Sequence, residues 1–318
     1  MNKLETQTED LHKSILLAES IEFIEPSGKK NIVDATLGLG GHTEAILSVS
    51  EKINVFGIDQ DIEAIEFAKK RLDKFGSRIK ILQANFSEIK QVLKEAGIEE
   101  VNGIIADLGV SSLQFDSPER GFSFRFDAPL DMRMDKNSET ETAAELLAGL
   151  SEEEIANLIY EYGEERFSRR IARRIVERRK MGNPIETTFE LAELVKSSVK
   201  RSRKDKIHPA TKTFQALRIA VNSELEILET FLRDSVDLLN ADGRLVVITF
   251  HSLEDRIVKR TMQNLSGRCF CPPKFPKCVC GAVKKIEILT RKPIIPSEQE
   301  QRENPRSRSA KLRACRKI

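Results

Sequence analysis

Apolar and polar positions change period several times along this chain. Lys30–Leu37 (KNIVDATL) is a short apolar run that ends in glycines, the pattern of a buried strand. Thr43–Val49 then has helical spacing. Ile53–Asp59 predicts a second strand, Ile62–Phe75 a helix, Ile79–Ala84 a third strand, Glu88–Ala96 a helix and Val101–Leu108 a fourth strand. Strands alternating with helices at this spacing predict a parallel sheet with helices on both faces.

The alternation stops at Ser111. Ser111–Met134 is loop-like, and Glu141–Lys200 is helical, with Ile155, Leu158, Ile159 and Tyr162 in one stripe and Phe167, Ile171 and Ile175 in another. After His208-Pro209, Thr213–Leu239 reads as one long helix. Strand patterning resumes at Gly243–Phe250, Val283–Leu289 and Ala310–Cys315, while Pro293–Arg308 reads as an extended surface loop. The expected fold is α/β and Rossmann-like, with about seven strands and a helical insertion between the fourth and fifth. Residues 1–112 and 214–318 would form the main domain, and 113–213 the inserted, mostly helical domain.

Charge is nearly balanced, with 52 basic and 50 acidic residues, so it argues for a partner only through where it sits. Met1–Asp10 is polar and acidic, and the apolar run Ile15–Ala18 is too short for a signal peptide. No stretch approaches the ~20 apolar residues of a membrane span. The expectation is a cytoplasmic chain with no membrane partner and no obligate protein partner. Its five cysteines are then reduced thiols or metal ligands, not disulfides.

The first strand runs into Asp34-Ala35-Thr36-Leu37-Gly38-Leu39-Gly40-Gly41-His42. A glycine turn between a strand and a helix lets a ligand approach the backbone. The second strand ends in Asp59, a carboxylate placed to accept ribose hydroxyls. A dinucleotide site wants G-x-G-x-x-G, whereas this loop reads G-L-G-G-H-T. Asp34 suits the ammonium of a methionine moiety better than a pyrophosphate. The cofactor reading is therefore S-adenosylmethionine, and the bland alternative is a turn that Asp34 merely caps. Asn85-Phe86 follows the third strand, where the Phe86 ring would face an adenine or simply pack in the core.

Longer motifs follow: Ala106-Asp107-Leu108-Gly109-Val110-Ser111-Ser112-Leu113-Gln114, Arg120-Gly121-Phe122-Ser123-Phe124, Pro129-Leu130-Asp131-Met132-Arg133-Met134, Tyr162-Gly163-Glu164-Glu165-Arg166-Phe167, His208-Pro209-Ala210-Thr211 and Phe250-His251-Ser252-Leu253-Glu254-Asp255-Arg256. Together, from about His12 to the C-terminus, they resemble the bacterial small-subunit ribosomal RNA cytosine-N4 methyltransferases, the MraW or RsmH family. That resemblance implies a class I S-adenosylmethionine-dependent methyltransferase whose inserted domain recognises substrate. It implies methyl transfer to N4 of a cytidine in the decoding region of 16S rRNA, in the small ribosomal subunit. It also implies cofactor contacts at Gly40, Gly41, His42, Asp59, Phe86, Asp107 and Gln114. The chain departs from the family pattern at Ser14, where many members have proline, at Asn85, and in a cysteine-rich stretch that only part of the family carries.

Transfer to an exocyclic amine needs nitrogen and methyl in line, and an acceptor for the N–H. Asp107 and the Leu108 carbonyl are candidates, with pure cofactor binding the alternative for Asp107. His251, Ser252, Glu254 and Asp255 follow the fifth strand and are candidates for reading the cytosine. The alternative is a helix N-terminus that Ser252 caps.

For RNA contact, Arg166, Arg169, Arg170, Arg173 and Arg174 recur at helical spacing, followed by Arg178, Arg179 and Lys180. Lys200, Arg201, Arg203, Lys204 and Lys206 form a second run, and Arg306, Arg308, Lys311, Arg313, Arg316 and Lys317 a third. Phe122, Phe124 and Phe126 suit either base stacking or core packing. Cys269-x-Cys271 and Cys278-x-Cys280 put four thiols within twelve residues. They fit either a zinc site, despite C-x-C in place of C-x₂-C, or a reduced structural loop. Cys315 falls in a predicted strand and is assigned to the core.

Two rivals differ in class. A DNA amino-methyltransferase would carry [DNS]-P-P-[YF] after the fourth strand, where this chain has Asp107-Leu108-Gly109-Val110. A non-catalytic RNA-binding assembly factor would not need the intact Asp34, Gly40, Gly41 and Asp59.

Overall fold

The computed structural model describes residues 14–199, 207–272, 277 and 279–318. The chain divides into two compact units, one made of the residues up to Gly109 together with Leu225–Ile318, the other of Val110–Glu224.

The first unit is built on one seven-stranded sheet. Its strands are β1 (Asn31–Asp34), β2 (Asn54–Asp59), β3 (Ile79–Gln83), β4 (Val101–Asp107), β5 (Leu239–Thr249), β6 (Ile286–Ile288) and β7 (Lys311–Lys317). They lie in the order β3-β2-β1-β4-β5-β7-β6. The first five are parallel, and β7 runs antiparallel to both β5 and β6. This is the class I methyltransferase sheet expected above; the reversed β7 was not predicted. Periodicity reports that a strand exists but not its direction.

The central strands are apolar at successive positions because both faces are covered. Ile104 and Ala106 of β4, with Leu245 and Val247 of β5, meet Phe231 and Val236 on one face. Ile105, Val246 and Ile248 face the other way, onto Leu16, Ile24, Ile46 and Leu47. The helices of this unit are α1 (Leu17–Ile24), α2 (Gly41–Val49), α3 (Ile62–Leu72) and α4 (Ile89–Glu95), and later α11 (Glu224–Leu238), α12 (Ser252–Leu265) and α13 (Glu298–Glu303). The α13 helix lies where an extended loop was expected. Its Glu300 accepts the Leu16 N–H at 2.8 Å, tying distant parts of the chain together.

The second unit is helical, with α5 (Ser112–Asp116), α6 (Ala143–Gly149), α7 (Glu152–Gly163), α8 (Ser168–Lys180), α9 (Thr188–Ser198) and α10 (Thr211–Val221). Capping boxes at Thr142, Ser151 and Thr187 start three of them, each with a glutamate three residues on. Its core joins Leu130, Met132, Ile155, Ile159, Ile171, Ile175, Leu191, Phe214 and Leu217.

The helix expected over Thr213–Leu239 is two helices, α10 and α11. Between them Ser223 has a left-handed backbone (φ 49°). Asn222 holds the turn by accepting the Met134 N–H and donating to the Met132 carbonyl, both at 2.8 Å. With α10 packed in the helical unit, the chain divides at 109/110 and 224/225 and not at 113 and 213.

Candidate cofactor site

In a parallel sheet all carboxyl ends share one edge, so Asp34, Asp59 and Asp107 end β1, β2 and β4 side by side. The loop after β1 is fastened across this edge. The Leu37 N–H donates to the Ile58 carbonyl at 2.8 Å, and the Gly38 N–H to Asp59 Oδ2 at 2.7 Å. The Asp107 N–H donates to Thr36 Oγ1 at 2.6 Å. Gly38 and Gly40 have φ of 50° and 79°, which suits glycine. A Cβ on Gly40 would lie 3.0 Å from Leu72, and one on Gly41 2.0 Å from Ser14 Oγ. Both glycines therefore also serve close packing within the protein.

Asp34 is buried. Its carboxylate accepts the Thr43 hydroxyl at 2.7 Å and the Thr36 N–H at 3.3 Å, so it does cap the loop. Burial pushes its pKa up to about 6, partly countered by those two bonds. Asp59 accepts the Asp61 N–H at 2.9 Å besides that of Gly38, and burial raises it likewise to about 6. Asp107 lies well above the usual carboxylate range, first because its partly buried carboxyl is desolvated and then through the charges of Asp34 and Glu254. Its Oδ1 is buried with no hydrogen-bond partner. Among the described residues no lysine or arginine pairs with Asp34 or Asp107.

His42 is buried, with Nε2 3.2 Å from the Ile15 carbonyl. A carbonyl only accepts, so Nε2 carries the hydrogen and Nδ1 faces Asp107 Oδ2 at 3.9 Å. Phe86 is half-buried, edge-on to Phe231 with centroids 5.0 Å apart. Asn85 beside it donates to Gln60 Oε1 at 2.8 Å. Gln114 belongs to the helical unit, where it is buried and its Oε1 accepts the Ser111 N–H at 3.0 Å.

After β5, His251 and not Ser252 is the N-cap of α12; its Nδ1 accepts the Glu254 N–H at 3.4 Å. Glu254 is buried and accepts the Phe250 N–H at 2.7 Å, with its other oxygen 3.1 Å from His251 Nε2. Asp255 is engaged within the protein: Arg313 donates to it at 2.7 Å and Lys311 at 3.3 Å. The C-terminal basic run is likewise largely spent inside the protein, because Arg316 pairs with Asp242 and Glu287, and Lys317 donates to the Asp237 carbonyl.

The arginine run on α8 sorts by face. Arg166, Arg169, Arg170 and Arg173 are exposed. Arg174 donates to Ser197 at 2.7 Å, Arg178 to Glu190, and Arg179 to the carbonyls of Leu147, Ala148 and Leu150. Lys204 and Lys206 lie outside the described residues, as does Cys278. Phe122 is core, Phe124 packs on His208 and Phe214, and Phe126 is exposed.

The profile of the MraW methylase family matches residues 9–318. The chain belongs to the MraW methylase family. It is 51% identical over 308 residues to the ribosomal RNA small subunit methyltransferase H of Clostridium botulinum (strain Kyoto), covering 96% of this chain and 99% of that one. The protein of the same name in Fusobacterium nucleatum is 49% identical over 313 residues, covering 97% and 98%. That of Halothermothrix orenii is 48% identical over 309 residues, covering 96% and 98%. A MraW methylase draws its methyl group from S-adenosylmethionine, and the edge that carries Asp34, Asp59 and Asp107 is the candidate place for it. The unpartnered Asp107 oxygen and the absence of a paired cation suit a ligand that brings hydrogen-bond donors and positive charge.

Proposed function

We propose that this protein transfers the methyl group of S-adenosylmethionine to the exocyclic N4 of a cytidine in the decoding region of 16S rRNA, within the small ribosomal subunit. The observation that carries the reading is the acid set Asp34, Asp59 and Asp107 at one sheet edge, with a buried Asp107 oxygen awaiting a donor, in a chain about half identical to ribosomal RNA small subunit methyltransferases H.

The cofactor, when bound, supplies a methyl on a positively charged sulfur. Asp59 offers its remaining lone pairs to ribose hydroxyls, and Phe86 a ring face to an adenine. The Gly40-Gly41-His42 backbone allows close approach, and Asp34 and Asp107 favour positive charge. The target base must leave its stack to reach such an edge. Asp107 or the Leu108 carbonyl then accepts the amine N–H as nitrogen density is drawn into the new bond. His251 orders the turn after β5. The exposed Arg166, Arg169, Arg170 and Arg173 hold phosphates, with Lys204 and Lys206 completing the basic surface.

The test is transfer of labelled methyl to purified small subunits that lack this modification, followed by digestion to nucleosides. We expect label in N4-methylcytidine derivatives, lost in Asp107→Ala. Label in DNA alone, or in a small molecule, overturns the RNA substrate. Cofactor binding without label in any of these would favour a non-catalytic assembly factor.

A further inference from the structure

The methyltransferase chemistry makes no use of the cysteine-rich stretch between α12 and β6. There the chain goes out and back on a paired stem. Ser266 bridges Lys284 in antiparallel fashion, and the Lys285 N–H donates to the Leu265 carbonyl at 2.7 Å. Beyond the stem there is little apolar material to hold a shape. No described residue from 266 to 285 is buried, and Phe270, Val279 and Val283 are exposed.

Three sulfurs nonetheless converge. The Sγ atoms of Cys269, Cys271 and Cys280 all lie within 4.8 Å of one another, with Cys280 and Cys269 at 3.6 Å. Ligands at the zinc–thiolate distance of about 2.3 Å in a tetrahedron stand about 3.8 Å apart, close to the 3.6 Å between Cys280 and Cys269 and within the bound on all three. Among the described residues each sulfur also receives a backbone N–H. Cys271 donates to Cys269 at 3.4 Å, Val279 to Cys271 at 3.2 Å and Phe270 to Cys280 at 3.4 Å. Amide hydrogens turned onto sulfur spread the charge of a thiolate and fix its direction, the outer support that metal ligands need. The guanidinium groups of Arg260 and Arg268 lie 5.8 and 5.5 Å from the ring centre of Phe270, which stands between Cys269 and Cys271 in the chain.

We infer that Cys269, Cys271 and Cys280 are ligands of a structural zinc ion that closes the loop between α12 and β6. Soft thiolates select zinc over hard divalent cations, and a redox-inert ion suits a site with no reaction to run. The sequence supplies one more thiol in the segment, Cys278, outside the described residues. The site is separate from the methyl-transfer chemistry. It lies past the far end of α12, and a helix of 14 residues sets it about 20 Å from the turn that His251 caps. Asn264, buried on the last turn of α12, donates to the Cys280 carbonyl at 2.9 Å and joins the loop to the helix. The ion thus does for this loop what an apolar core does elsewhere.

The full chain is to be purified under reducing conditions without chelator, and its metal measured by elemental analysis. We expect about one zinc per chain. Cobalt exchanged into the site should show thiolate-to-metal charge transfer and the intense visible bands of a tetrahedral ion. Cys280→Ser and Cys269→Ser should each bind the metal more than ~100-fold more weakly, beyond the roughly 10–100-fold that outer-shell changes cause. Both should keep cofactor binding by calorimetry, which shows that the sheet has folded. Protein that holds no zinc and takes up no cobalt overturns the inference. So does iron with sulfide in place of zinc, or a Cys269–Cys280 disulfide in protein isolated without reductant.

Discussion

At the scale of single residues the cofactor edge is built against its own stability. Asp34, Asp59 and Asp107 are carboxyls that burial holds above their usual range, and Asp107 also feels the charge of Asp34 and Glu254. An acid raised in the folded state favours folding most when protonated, so its ionisation costs stability as pH rises. Asp107→Asn keeps the shape and removes one charge. We expect the free protein to gain about 1 kcal/mol, seen as a melting point a few degrees higher, while methyl transfer falls. Unchanged melting with intact transfer would sink the reading of a strained functional acid. For Asp59, raised to about 6, the sign gives two opposite trends. As pH falls through about 6 toward 4, this group's contribution to the stability of the free protein grows, because the folded state holds its proton more tightly than the unfolded chain. Cofactor affinity falls over the same window, because ribose hydroxyls need the ionised acceptor. The melting difference between wild type and Asp59→Asn should shrink as pH drops through that window. Calorimetric affinity of the wild type should weaken there, and that of Asp59→Asn should start lower and fall less steeply, because only Asp34, also raised to about 6, still titrates in that window.

Elements show which sequence signals carry and which do not. Strand termini were legible because glycines and acids mark them: Asp59 ends β2 in the chain as it does in the sequence reading. The break at Asn222-Ser223 was not, since neither residue is a strong breaker and helical apolar spacing runs through it. The turn exists because Asn222 is held by Met132 and Met134, partners 90 and 88 residues away. The cap of α12 was misplaced by one residue for a similar reason. Serine is the commoner cap, but Glu254 reaches back to the N–H groups of Phe250 and His251 and sets the box there. Two changes test how elements are held. On α7, a Cβ on Gly163 would lie 2.6 Å from the Lys212 carbonyl oxygen of α10. Gly163→Ala gains about 1 kcal/mol of helix propensity, but backbone cannot swing aside as a side chain can. A net loss of about 2 kcal/mol is expected by denaturant unfolding, and a gain would mean that the helices are free to separate. On α12, Asp255→Ala would strand Arg313, which is 6% exposed and paired to Asp255 at 2.7 Å. A loss of about 3 kcal/mol is expected, and Asp255→Ala with Arg313→Leu should recover part of it.

For the whole molecule, the division into an α/β unit and a helical one was readable from the place where alternation stops, but its limits were not. Periodicity assigned α10 to the sheet-bearing part, whereas Phe214 and Leu217 join Ile155, Ile159 and Ile171 in the helical core. A stripe shows that a helix has a partner and leaves the partner unnamed. Counting charge misled in the same way. Within the C-terminal basic run, Lys311, Arg313 and Arg316 are paired with Asp255, Asp242 and Glu287, while Arg308 stays exposed. On α8 the core-facing stripe of Ile171, Ala172 and Ile175 turns Arg169, Arg170 and Arg173 outward. Arg173 already stands 3.7 Å from Glu152, which leaves Arg169 and Arg170 as the sharper test. If they hold phosphates, replacing both with alanine releases two counterion-linked contacts. The slope of log affinity for RNA against log salt should then flatten by about 1.4, at ~0.7 per phosphate on a single strand. Affinity for S-adenosylmethionine should not change. The measurement is a salt titration of binding to a decoding-region RNA, wild type beside the double variant. An unaltered slope would make this face a solvated one and move the phosphate contacts elsewhere on the protein.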